Sequence, residues 1–120
     1  FARLTAPRSS RKPRTADRAF VLLVDVTFSS PEERDAALKL WKPVADHCHH
    51  HEPGTLSYEA AVSDSDPSRV IFIERYTDKD DAYLKVHKSS DPFLTFRKQL
   101  GDMNPEIAGH SYITTDIGYI

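Results

Sequence analysis

From Ala19 to Phe28 the chain reads Phe20, Leu22, Val24, Val26 and Phe28 on one face and Val21, Leu23, Asp25 and Thr27 on the other. This is a period of two with both faces largely apolar, the mark of a central strand that needs cover on each side. With 120 residues, one cysteine and 28% charged side chains, the chain is limited to a single small domain with a modest core. Its own helices can cover one face of the strand. The other face, with Phe20, Leu22, Val24, Val26 and Phe28 as one candidate set, then waits for a second sheet, which a second chain would supply. At this size only about two-thirds of the unfolded surface is buried on folding, which also favours a homodimer.

The remaining elements follow in order. Ser30-Pro31-Glu32-Glu33 combines an N-cap serine, a proline at the first helical position and a glutamate at the third, a capping box that starts a helix. Ala37, Leu40, Trp41, Val44, Ala45 and Cys48 form its apolar stripe, and Pro43 is expected to kink it. Glu52-Pro53-Gly54 ends it, with Gly54 free to take positive φ. Thr55 to Val62, turn residues Asp64 to Ser68, and Val70 to Tyr76 read as a hairpin. Asp78 caps a short helix whose stripe is Ala82, Tyr83, Val86 and His87. A second start at Ser90-Asp91-Pro92 leads to Phe93, Phe96 and Leu100, with Gly101 as the stop. The stretch from His110 to Ile120 suits an edge strand. The order βαββααβ predicts an α+β, ferredoxin-like domain with a four-stranded antiparallel sheet and helices on one face.

Charge divides the chain at Arg18. Residues 1–18 carry a net +5 and residues 19–120 a net −7. The first segment has prolines, serines and no apolar period, so it reads as an extended basic arm docking on the acidic body. The alternatives are the remnant of an organelle-targeting segment or a nucleic-acid arm. The acidic body argues against nucleic acid. The longest apolar run, Ala19 to Val24, is far short of the roughly 20 residues a membrane span needs, so no membrane partner is expected. A lone cysteine, Cys48, fits a reducing, cytoplasmic setting. The chain opens on Phe1 rather than methionine, so an upstream segment, organellar targeting included, is expected to have been removed or left out.

The string His51-Glu52-Pro53-Gly54-Thr55-Leu56-Ser57-Tyr58-Glu59, then Glu74-Arg75-Tyr76-Thr77-Asp78, then Ala82-Tyr83, Val86-His87-Lys88-Ser89-Ser90 and Pro92-Phe93, closely resembles the antibiotic biosynthesis monooxygenase family over roughly residues 20–100. The resemblance implies a homodimeric α/β barrel, closed sheet to sheet. It further implies an oxidoreductase, often of secondary metabolism, among relatives that include cofactor-free monooxygenases acting on aromatic polyketides or quinols, haem-degrading enzymes and an isomerase-like enzyme. Against the haem-degrading relatives the chain departs at three places. Asp25 occupies the region of their first-strand asparagine, the sole tryptophan is Trp41 on the first helix, and Arg97 lies near their haem-ligating histidine.

The chain has no glycine-rich dinucleotide turn or phosphate loop and only four glycines, so no flavin or nicotinamide cofactor is expected. The electrons for an oxygenation must then come from a quinol, anthrone or similarly enolisable substrate, meeting dioxygen beside a base in a dry pocket. His87 is the candidate base, since imidazole titrates near neutrality; the competing account is a histidine capping its helix end near Ser89. Asp25, a carboxylate on an apolar strand, is the second catalytic candidate, orienting His87 or accepting a substrate proton; the competing account is a structural bond to Arg75 or a neighbouring backbone group. Trp41, Tyr58, Phe72, Glu74, Tyr76, Tyr83, Phe93 and Phe96 are candidate substrate-binding residues, although aromatic stripes also serve simple packing. His47 and His51, spaced i, i+4, together with His87 form a weaker metal-ligand set. An isomerase or lyase using the same base, and a dimer that binds a small molecule without turnover, are the alternatives on the same scaffold.

Overall fold

A computed structural model describes residues 18–120. The basic arm up to residue 17, and its expected docking, lie outside the described residues. Strand β1 (Phe20–Thr27), helix α1 (Pro31–His51), strands β2 (Thr55–Val62) and β3 (Arg69–Tyr76), a π-helix (Lys79–His87), helix α2 (Asp91–Met103) and strand β4 (Glu106–Ile113) follow one another. All pairings are antiparallel and the sheet order is β2-β3-β1-β4, the ferredoxin-like arrangement expected from the sequence. Among the described residues no helix is long and apolar enough to cross a membrane.

The two faces of β1 are assigned opposite to the candidate set. Val26 and Phe28 are buried with Ala37, Val44 and Cys48 of α1 and Phe96 of α2, while Phe20 packs with Tyr76 and Ala82. The set Phe20, Leu22, Val24, Val26 and Phe28 therefore lies under the helices. The uncovered face carries Val21, Leu23, Asp25 and Thr27, opposite Arg75, Ile73, Ile71 and Arg69 of β3. The alternation was legible, but with both faces apolar it could not decide which one the helices would take.

Helix α1 starts as the capping box predicts. Ser30 accepts from the backbone N–H of Glu33, while the Glu33 carboxylate is engaged by the Ser29 hydroxyl. The helix runs on through Pro43 to His51. Gly54 does not use positive φ; Gly118 is the one described glycine that does. What Gly54 supplies is closeness, because a Cβ there would lie 2.7 Å from the Cβ of Ala82 and force the turn away from the π-helix. Gly101 does not stop α2. The helix continues to Met103 and ends on Asn104 in the left-handed conformation. Strand β4 begins at Glu106, four residues before the expected start, because its pairing with β1 opens at Thr27. Backbone bonds from Thr114 to Ala19, and from Ala19 N–H to the Thr114 hydroxyl, both 3.0 Å, join the two ends of the described domain.

The segment after Asp78 departs furthest from expectation. Asp78 caps it as predicted, accepting from the N–H groups of Asp81 and Ala82, but its turns close i to i+5, as in the bond from Lys88 N–H to the Tyr83 carbonyl. At about 100° per residue an α-helix would set Ala82 and His87 roughly 140° apart. In the wider winding both are buried, and Val86, expected on the inner stripe, is 47% exposed.

Candidate active site

The helices leave a cavity of about 210 Å³ on the inner face of the sheet. Leu22, Val24 and Val26 of β1 and Phe72 of β3 form its floor. Trp41 of α1, Tyr58 of β2, Tyr83 of the π-helix, and Phe93 and Phe96 of α2 form its walls. The indole of Trp41 stacks on Tyr58 with centroids 5.0 Å apart, presenting a continuous aromatic wall. Within this apolar lining sits one carboxylate, Glu74, 7% exposed, and at the margin lie Lys88 and Arg97. Seven of the eight predicted binding residues, Trp41, Tyr58, Phe72, Glu74, Tyr83, Phe93 and Phe96, line the cavity. Tyr76 does not; it is fully buried behind the cavity and donates its hydroxyl to Glu74.

Burial pushes the Glu74 carboxyl above the usual carboxylate range, and the negative charge of Glu52 adds to this; the Tyr76 hydrogen bond and the charge of His87 only partly oppose it. Burial first, and the charge of Glu74 second, also push the hydroxyls of Tyr58, Tyr76 and Tyr83 up, so all three stay protonated at neutral pH.

His87 is wholly buried and is not part of the cavity lining. Its ring lies directly behind the wall, with centroids 5.0 Å from Tyr58, 6.2 Å from Tyr83 and 4.8 Å from Phe93. Its side chain does not bond to backbone near Ser89. Nδ1 lies 2.9 Å from Glu52 Oε1 and 3.4 Å from Cys48 Sγ, while Nε2 has no hydrogen-bond partner among the described residues. A carboxylate can only accept, so Nδ1 carries a proton and donates it to Glu52. Glu52 also accepts from the Thr55 hydroxyl at 2.8 Å, and His47 Nε2 lies 3.3 Å from its second oxygen. Burial alone would raise the Glu52 carboxyl; the hydrogen bonds from His87 and Thr55 and the charge of His87 outweigh it and hold the group below the usual range.

Asp25 is on the wrong face for the role expected of it. Strand alternation turns it to the uncovered side, where it pairs with Arg69 Nε at 3.0 Å rather than with His87 or Arg75. The metal-ligand set also changes. His51 is exposed and rests its ring on His47, 5.2 Å between centroids, whereas the ligand atoms of Cys48, Glu52 and His87 lie within 4.8 Å of one another. Those three, with His47 beside Glu52, are the residues of donor type suited to a zinc-like ion.

Three residues of this region are new. Glu52 and Thr55 were read only as helix end and strand start, and Lys88 only as part of a motif. A usable signal was present for Glu52, since an acid in the last turn of a helix opposes the helix dipole unless something holds it. Thr55 reaches the inside because a bulge between Thr55 and Ser57 sets it, as well as Tyr58, on the helix side, which strict alternation does not allow.

A sheet ordered β2-β3-β1-β4, helices on one face and an aromatic cavity between them define a ferredoxin-like α+β domain. Residues 20–99 match the family described as antibiotic biosynthesis monooxygenase, and the chain belongs to that family. No curated protein matches it in sequence. Several solved structures share the fold. A conserved protein from Methanosarcina mazei is 19% identical, with a TM-score of 0.69 over 81% of this chain and 93% of its own. A protein described as an antibiotic biosynthesis monooxygenase is 22% identical, with a TM-score of 0.62 over 82% and 99%. One from Caulobacter crescentus, provisionally named for the same family, is 20% identical, with a TM-score of 0.70 over 84% and 94%.

Proposed function

We propose that the protein is a cofactor-independent monooxygenase oxidising a small aromatic or enolisable compound, a quinol or anthrone, with dioxygen. The observation that carries this reading is a cavity with aromatic walls holding a single buried carboxylate, in a member of this family. Glu74, its proton affinity raised by burial, takes the proton from the substrate, and the resulting anion reduces dioxygen directly. For an anthrone, one oxygen atom becomes the new carbonyl and the other leaves as water with the two hydrogens of the oxidised carbon. His87, anchored by Glu52, is a positioning residue that fixes Tyr58 and Tyr83.

The uncovered sheet face supports a homodimer: Leu23, Ile71 and Ile73 lie on it next to the Asp25–Arg69 pair. An Ile73→Lys substitution is expected to halve the mass measured by light scattering while the monomer keeps its circular dichroism. The buried thiol of Cys48, the single cysteine of the chain, supports a reducing, intracellular location.

The function is tested by following dioxygen uptake and product mass with chelator-treated protein and a panel of hydroquinones and anthrones. Uptake with a product that has gained one oxygen is the expected result. Substrate rearranged without uptake would replace this reading with an isomerase, and ligand recovered unchanged would leave a binding protein.

A further inference from the structure

The cavity margin carries a charge pattern that simple burial of an aromatic molecule does not call for. On α2 the cavity-facing positions are Phe93, Phe96, Arg97 and Leu100, the i, i+3, i+4, i+7 stripe that an amphipathic helix normally fills with apolar residues. Arg97 interrupts that stripe with a guanidinium. Among the described residues it has no acidic side chain within salt-bridge distance, although Asp91 and Asp102 stand on the same helix. The second cation, Lys88, comes from the end of the π-helix. It is half-buried, and its Nζ lies 5.6 Å from the ring centroid of Tyr83, laid over the same cavity wall with no carboxylate bonded to it. Among the described residues, two cations from two elements thus line the mouth of an apolar cavity with no carboxylate bonded to either. The acid of the cavity, Glu74, belongs to the inner sheet face, on strand β3.

We propose that the natural ligand is an aromatic carboxylic acid, its ring against Trp41 and Tyr58 and its carboxylate held at the mouth by Arg97 and Lys88. Guanidinium and ammonium groups bind a carboxylate by charge-assisted hydrogen bonds, and beside an apolar wall these are less screened than in open water. The cavity volume of about 210 Å³ limits the ring system. It is smaller than the roughly 300–1,000 Å³ of sites for drug-sized ligands, so one or two fused rings fit better than an extended polyketide. This inference rests on the cavity being the substrate site, and it narrows the proposed substrates to hydroxylated benzoates and naphthoates.

Binding separates it from the oxygenase reading. Calorimetric titration with 1-hydroxy-2-naphthoate and with 1-naphthol, neither offered as an oxygen substrate, compares the same ring with and without the carboxylate. The acid is expected to bind at least about tenfold more tightly, with the preference shrinking as salt is raised. Arg97→Gln and Lys88→Gln should each remove most of that preference by weakening the acid far more than 1-naphthol, whereas Lys98→Gln, one position along and exposed, should leave both ligands unaffected. Equal affinities, or binding of neither compound, would overturn the proposal. A clear preference for the acid, combined with no dioxygen uptake on 2,5-dihydroxybenzoate or 1,4-dihydroxy-2-naphthoate, would retain the proposal and remove the oxygenase reading. Uptake on neutral quinols with no carboxylate preference would do the reverse.

Discussion

Glu52 and Glu74 are both buried glutamates, both sense the charge of His87, and yet they are driven in opposite directions. Glu52 accepts from the His87 ring at 2.9 Å and from Thr55 at 2.8 Å, enough donors to overcome burial and keep it ionised. Glu74 has the Tyr76 hydroxyl and faces the cavity, and there burial prevails. The difference lies both in donor supply and in how strongly burial penalises the charge. A carboxylate saturated with donors is a structural anchor, and one left short of them within an apolar cavity is a group that can exchange a proton with a ligand.

The substitution that should break this contrast most severely is Glu52→Gln. It removes the charge that holds His87, Thr55 and His47 and leaves buried groups badly matched, an expected loss of about 3 kcal/mol in urea unfolding, the lower end of the range for breaking a buried ionic pair. Glu74→Gln should behave differently. Turnover falls by about 100-fold or more, the lower end of what a lost general base costs, while the fold is retained.

The pH dependence carries opposite signs for the two residues. The lowered Glu52 pKa gives stability that is present above its unfolded value of 4.5 and is lost as pH falls through the lower folded value. The raised Glu74 pKa means that the native state keeps a proton which the unfolded chain releases above 4.5. Its contribution therefore declines as pH rises from there through the folded value. Glu74→Gln should accordingly be more stable than the wild type at pH 8, with the gain vanishing below pH 4.5. A constant difference between the two proteins across that range would show that folding does not shift the Glu74 carboxyl. The smallest effect is expected from Thr55→Val, which takes one of the donors from Glu52 and should cost about 1 kcal/mol. It should also move the acid-unfolding midpoint upward, sharpening the claim that its donors keep Glu52 ionised.

Much of the architecture was legible before the structure. Capping at Ser30, the alternation of β1 and the turn residues after Val62 gave element order, sheet composition and the aromatic lining, because these signals are local. What stayed hidden depended on parity or on winding. The uniformly apolar β1 concealed which face the helices cover and so misplaced Asp25. The bulge at the start of β2 hid Thr55, and the i to i+5 winding moved Val86 out and drew His87 in behind the wall instead of into the cavity. Arg97 stood in plain view on the α2 stripe, but only the cavity beside it gives that position a meaning.

The bonds between Ala19 and Thr114 make the first and last ordered strands of the domain adjacent at their ends. The chain therefore enters the sheet at Ala19 and leaves it at Thr114 from one corner. The same adjacency makes the domain suited to circular permutation. Joining the ends with a short linker and opening the chain in the turn between β2 and β3, at residues 64–68, would redraw the connectivity while keeping every strand beside its present neighbour.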